Sequence, residues 1–117
     1  DPEPEVRAAA AGLLGALGGA HGAQALEALV ADPEAQVRAA AADALGRLRH
    51  WPAAPRLAGL LDDRAWDVRR ASALALRDLG GLGTLLLQRA LTHTDAFARD
   101  MAGHVLDIPR AADRPDA

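Results

Sequence analysis

The sequence of 117 residues contains no cysteine and no lysine, since all 13 basic residues are arginine. The absence of cysteine excludes disulfide frameworks, thiolate zinc sites and cysteine nucleophiles, and it leaves the cellular compartment open. We attribute the use of Arg alone, together with the abundance of Ala, to a GC-rich genome more than to selection for guanidinium chemistry.

Aromatic residues and long apolar runs are also scarce. Half of the residues are hydrophobic but only 3 % are aromatic, so the core must consist of Ala, Leu and Val, as in close-packed helices. No apolar run approaches the roughly 18 residues of a membrane span, and no leader precedes the pattern, which makes the cytoplasm the default expectation. The net charge of −3 disfavours nucleic acid as a partner.

The sequence does contain a repeated segment. Asp-Pro-Glu-Ala-Gln-Val-Arg, followed by an alanine run, begins at Asp32, and similar segments begin at Asp1 and Asp63. The valines of these three copies, spaced 31 residues apart in both steps, are Val6, Val37 and Val68. A fourth, weaker copy follows at a step of 30, with Ala98-Arg99 in place of Val-Arg. Self-similarity at such a period is the signature of a solenoid.

Each copy reads as one long and one short helix, so the sequence predicts seven helices that alternate in length, and no strand. The expected copies lie near 1–31, 32–62, 63–92 and 93–106, followed by a mobile tail at 107–117. Because the chain starts in mid-pattern without Met, we expect it to be part of a longer protein, and self-association through the first helix is possible.

Apolar residues at helical spacing predict the buried face of each helix. Asp62-Asp63 is expected to cap the third long helix, Trp51 to pack over a hairpin turn, and Ser72 to bond a backbone carbonyl from within the core. The stripe of the first long helix comprises Val6, Ala9, Ala10, Leu13, Leu14 and Leu17, and the later copies repeat it as Val37, Ala40, Ala41, Ala44, Leu45 and Leu48, and as Val68, Ala71, Ser72, Ala75, Leu76 and Leu79.

The segment from Asp32 to Gly46 resembles a HEAT repeat, and more narrowly the short bacterial HEAT-like repeats of the phycobilisome-lyase type. The resemblance covers nearly all of residues 1–106 and implies an all-α, right-handed α-α superhelix of about three and a half helical hairpins. It also implies that the long helices line the concave side. The resemblance further assigns a ladder of hydrogen bonds and ion pairs between repeats to Asp1, Asp32, Asp63, Arg7, Arg38, Arg69 and Arg99. A phosphate-binding arginine tract is the alternative, but equal spacing along a solenoid favours the structural role.

No catalytic constellation is found. The histidines lack ligand-type partners at helical spacing, and the glycines at 80–83 do not follow a strand, so neither a metal site nor a phosphate loop is supported. We therefore expect no cofactor and no catalysis in this stretch, and the activity of the longer protein stays open.

The solvent side of the long helices is the candidate binding surface. The third long helix places Trp66, Arg70, Leu74 and Arg77 there, a combination that is typical of interface hot spots. Acidic and histidine residues at equivalent or neighbouring positions of other copies are Asp43, Asp100, His104 and Asp107. The alternative is that these are scattered surface residues.

The sequence thus favours a non-catalytic scaffold whose concave face binds a partner protein or another domain of the same chain. A subunit similar to the chromophore lyases is one alternative. A DNA-binding module similar to HEAT-like base-excision glycosylases is the other, although the acidic balance and the few aromatic residues argue against it.

Overall fold

In the computed structural model, which describes residues 3–109, the chain is all helical. The helices are α1 (Pro4–Leu17), α2 (Ala20–Leu29), α3 (Ala35–Arg47), α4 (Ala54–Ala58), α5 (Trp66–Asp78), α6 (Gly81–Ala90) and α7 (Ala96–Asp107), with a 3-10 turn at Trp51–Ala53 before α4. Within this described range there is no strand. The predicted all-α fold, with seven α-helices of alternating length, is confirmed.

The helices form two layers. The long helices α1, α3, α5 and α7 lie side by side in chain order, with the most extensive contacts between α3 and its neighbours α1 and α5. The short helices α2, α4 and α6 form the second layer, and each packs on the long helix that follows it. Each unit therefore contacts mainly its neighbours, as in a solenoid.

Leucine and alanine occupy different parts of the core. The largest fully buried side chains are leucines and valines of both layers, among them Leu26, Leu45, Leu57, Leu76 and Leu87. Between the long helices the buried residues are small: Ala41, Ala42, Ala44, Ala73 and Ala75. Small side chains let helix axes approach closely, which is why this sequence needs almost no aromatic residues in its core.

Three glycines mark the closest helix contacts. A Cβ at Gly15 of α1 would lie 2.7 Å from Cβ of Ala44 on α3. A Cβ at Gly46 of α3 would lie 2.8 Å from both Cα and Cβ of Ala75 on α5. A Cβ at Gly83 of α6 would overlap the backbone carbonyl of Leu76 on α5. At these positions only glycine fits the observed packing.

The first helix does not bury the predicted stripe. Val6, Leu13 and Leu17 are exposed, and Ala11 is the buried residue of α1. The physical reason is that α1 packs mainly against one long helix, α3, and one short helix, α2. One flank of α1 therefore stays uncovered. On α3 and α5, which have neighbours on both flanks, burial instead extends to Ala42 and Ala73, outside the predicted stripes.

Three further expectations on packing were wrong. Trp51 lies in the 3-10 turn and is 64 % exposed, so it does not cover the hairpin. Ser72 is fully buried, but its hydroxyl has no hydrogen-bond partner in the described structure. Ala40 and Ala71 of the predicted stripes are only half-buried, although both pack against the core.

The aspartates of the repeat do not cap helices as predicted. The N-cap residues of α3 and α5 are Glu34 and Ala65, and neither provides a side-chain cap. Asp32 and Asp63 instead lie two residues earlier and accept the backbone N–H of Glu34 and Ala65, each at 2.9 Å. This local bond closes the turn before each long helix.

Asp1 and the predicted tail beyond Pro109 lie outside the described residues. No helix within the described range is both long and apolar enough to cross a membrane.

Candidate functional site

The ladder between repeats is built from bidentate ion pairs. Arg7 donates from Nε and Nη2 to the two carboxylate oxygens of Asp32 at 2.9 and 3.0 Å. Arg38 binds Asp63 with the same atoms and the same distances. Each pair therefore joins the long helix of one copy to the turn of the next, in the fork geometry that is strongest for Arg and carboxylate.

The same arginines also hold the turn of their own copy. Arg38 donates from Nη1 to the carbonyls of Asp32 and Pro33 at 2.9 and 3.0 Å. Arg69 and Arg99 repeat this arrangement, donating from Nη1 to the carbonyls six and five residues earlier. These two bonds from Nη1, called the clamp below, hold the guanidinium in place. Where an ion pair forms, Nε and Nη2 then point toward the next copy.

The ion pairs shift the titration of both aspartates. The hydrogen bond from Arg7 is the largest influence on Asp32 and, with the backbone N–H of Glu34, holds its pKa below the ordinary value. Burial raises the pKa of Asp63, but the hydrogen bonds from Arg38 and Ala65 outweigh it and leave the pKa lowered. Arg7 and Arg38 are thus neutralised by carboxylates, which argues against a phosphate-binding arginine tract.

The fourth copy replaces the ladder aspartate with histidine. His93 accepts the backbone N–H of Asp95 at Nδ1, at 2.9 Å, as Asp63 accepts the N–H of Ala65. The N-cap residue differs as well: Asp95 caps α7 with its side chain, which accepts the N–H of Ala98 at 3.0 Å. His93 follows Asp63 by 30 residues, as Arg99 follows Arg69, so His93 and not Asp95 occupies the ladder position. The third ion pair, from Arg69, is consequently absent within the described structure.

A groove lies between α5 and α7, next to Arg69. It has a volume of about 390 Å³ and is lined by Trp66, Arg69, Phe97, Asp100, Met101 and His104. Trp66 and Phe97 are 53 % and 58 % exposed, whereas Met101 is buried. The centre of the Phe97 ring lies 4.5 Å from Cζ of Arg69, a cation-π contact. The groove therefore combines two exposed aromatic rings, a thioether and charged groups.

The structure brings together part of the predicted surface. Trp66, Asp100 and His104 line the groove, and Cζ of Arg70 lies 5.8 Å from the centre of the Trp66 ring. Arg77 lies near the C-terminal end of α5, and Asp107 is the exposed last residue of α7, and neither lines the groove.

Two further predicted residues, Leu74 and Asp43, do not line the groove. Leu74 is half-buried and packs against the core, so it is not the exposed anchor that the pattern predicted. The reason is that α3 and α7 cover α5 from both sides and leave a narrow free strip. Asp43 lies on α3, where it pairs with Arg47 at 3.1 Å.

Sequence reasoning missed Phe97 and Met101 and placed Arg69 only in the ladder. Phe97 is the one phenylalanine of the chain, and it follows the point where the repeat spacing slips. An unusual residue at an irregular step is a signal that could have identified it.

A second groove of about 420 Å³ lies in the layer of short helices, lined by residues of α4, α6 and the turns that follow them, including Pro55, Leu61, Leu86, Arg89 and His93. Within residues 3–109, no three His, Asp or Glu side chains are grouped as metal ligands would be.

Comparison with known proteins agrees with this architecture. The family model of HEAT repeats matches residues 22–107, which is most of the chain. No curated protein matches the sequence. The repeated helical hairpins, the two-layer packing and the matched range together place this chain in the HEAT-repeat family.

Proposed function

We propose that this domain is a non-catalytic scaffold that binds a partner protein through the groove between α5 and α7. HEAT repeats are generally protein-interaction scaffolds. The observation that carries the proposal is the position of the aromatic residues: of the three in the whole chain, two line this groove and are more than half exposed.

The composition of the groove supports protein binding. Aromatic residues, Met and Arg are enriched at protein interfaces, and Trp and Arg dominate binding hot spots. Here Arg70 lies over the Trp66 ring and Arg69 over the Phe97 ring. An aromatic ring held by a neighbouring guanidinium has little conformational entropy left to lose on binding, which favours its use as an anchor.

The test compares groove variants with a matched surface variant. Wild-type protein, the double variant Trp66→Ala with Phe97→Ala, and the control Trp51→Ala are immobilised at equal amounts and exposed to lysate of the source organism. Trp51 is the right control because it is as exposed as Trp66 but lies in the 3-10 turn before α4. Captured proteins are quantified by mass spectrometry, and circular dichroism checks that every variant is folded.

We expect at least one protein to be captured by the wild type and by Trp51→Ala but not by the double variant. Truncation of a hot-spot residue costs about 2 kcal/mol or more of binding free energy. Equal capture by all three folded proteins would refute the groove as the binding surface. Binding through the alternative faces, including the exposed flank of α1, would then be tested with Leu13→Asp.

A further inference from the structure

Two formed ion pairs show what the ladder arginine binds. In the first and second copies the Nε and Nη2 edge of the guanidinium holds one aspartate carboxylate, at 2.9 and 3.0 Å. The Nη1 corner of Arg38 is meanwhile fixed by two backbone carbonyls of its own turn. The edge that faces the next copy is thus a preformed carboxylate site.

Arg69 keeps the clamp but lacks the carboxylate. Its Nη1 donates to the carbonyls of Asp63 and Arg64 at 2.8 and 3.1 Å, as in the second copy. The position of the acceptor is taken by His93, whose Nδ1 is occupied by the N–H of Asp95. Among residues 3–109 no carboxylate lies within ion-pair distance of Arg69, and Nε and Nη2 have no hydrogen-bond acceptor.

Arg69 is also the most buried of these cations. It is only 7 % exposed, and it lines the groove beside Phe97. A guanidinium removed from water without a counter-ion is costly, and the Phe97 ring offsets this on one face only. A carboxylate placed at the free edge would restore the missing pair.

We infer that Arg69 is a binding site for one carboxylate of the partner protein, an Asp or Glu side chain that pairs with its free Nε and Nη2 edge. The inference rests on the proposed function, because the acidic residue must belong to the segment seated in the groove. Trp66, Phe97 and Met101 would contact apolar residues on either side of it. Asp100, at the same groove, would repel a second acidic residue, so a segment with one acid between apolar residues fits best.

The first experiment uses two blocked peptides, acetyl-Leu-Asp-Leu-amide and acetyl-Leu-Asn-Leu-amide, titrated at neutral pH into labelled protein and followed by NMR at the Phe97 ring, the Met101 methyl and the Trp66 indole. The two peptides are of the same shape and differ only in carboxylate against carboxamide, so the contribution of the two leucines to affinity cancels in the comparison. The Asp peptide is expected to bind about tenfold or more tightly than the Asn peptide, since bonds to charged groups are roughly twice as strong as neutral ones. Equal affinity, or no shift at the groove with either peptide, overturns the inference.

The second experiment uses His93→Asp, which supplies the ladder carboxylate from within the chain. We expect it to raise the melting temperature and to remove the preference for the Asp peptide, because the internal carboxylate occupies the free edge. Arg69→Lys should reduce the preference, since an ammonium lacks the fork, and Arg70→Met is the matched control that should keep it. A preference for the Asp peptide that is unchanged in both His93→Asp and Arg69→Lys contradicts the inference.

The two proposals fail in different ways. If the Trp66 and Phe97 double variant loses the partner but the two peptides bind equally, the groove is the interface and Arg69 does not select a carboxylate. If the double variant retains the partner, the groove itself is wrong.

Discussion

Gly46→Ala tests the close packing of α3 on α5 with a single methyl group. The added Cβ would lie 2.8 Å from Cα and from Cβ of Ala75, whereas carbon atoms in contact are normally about 3.5–4.0 Å apart. Both opposing atoms belong to or adjoin the backbone, so no flexible side chain can move aside. The helices would have to separate by about 0.7 Å, while α1 and the Arg38–Asp63 pair hold α3 from other sides.

The expected magnitude is the difference of two effects. Overpacking a core position costs about 1–3 kcal/mol. Replacing Gly by Ala inside a helix stabilises the helix by about 1 kcal/mol, because Ala has the higher helix propensity. Because the contact is with rigid atoms, we expect a net loss of about 1–2 kcal/mol, or a melting temperature lower by about 4–8 °C for a chain of this size.

Gly12→Ala is the matched control, because a Cβ at Gly12 of α1 would meet nothing within 4 Å. This variant should gain about 1 kcal/mol, and its melting temperature should rise by about 4 °C. Thermal unfolding followed by circular dichroism at 222 nm, a standard helix signal, measures both. An increase for Gly46→Ala similar to that for Gly12→Ala would refute the close contact and the reasoning built on it.

Three further predictions concern polar groups. The pKa of Asp63 is lowered on folding, so its contribution to stability is complete above the unfolded pKa of about 4. This contribution disappears as the pH falls through the pKa of the folded state. The midpoint of unfolding in urea should therefore fall more steeply below about pH 4 in the wild type than in Asp63→Asn. A parallel pH dependence of the two proteins would contradict this. Burial raises the pKa of Asp78, so its ionised form opposes folding, and Asp78→Asn should leave stability at pH 7 unchanged or increase it; a clear loss in a urea titration would show that Asp78 is stabilising. Ser72→Ala removes a buried hydroxyl without a partner and should stabilise by up to about 1 kcal/mol, whereas destabilisation would mean that the hydroxyl is bonded in solution.

Much of the fold followed from the order of residues alone. The spacing of Val6, Val37 and Val68 predicts a repeat, and the helical periodicity within each copy predicts seven helices, because both depend on local backbone preference and pattern. The resemblance to HEAT repeats named the residues of the ladder, and the structure shows that they pair as Arg7–Asp32 and Arg38–Asp63.

The candidate site depended on tertiary structure. Which flank of α1 is buried and how wide a strip of α5 remains free are decided by the number of helices packed beside each, which no local pattern contains. The irregular copy shows the same limit: the sequence aligned it by Ala98-Arg99, and only the structure shows that His93 closes its turn while Asp95 caps α7. That residue leaves Arg69 without a carboxylate, and the packing of α7 on α5 places Phe97 against it, a contact between two helices that no local pattern contains.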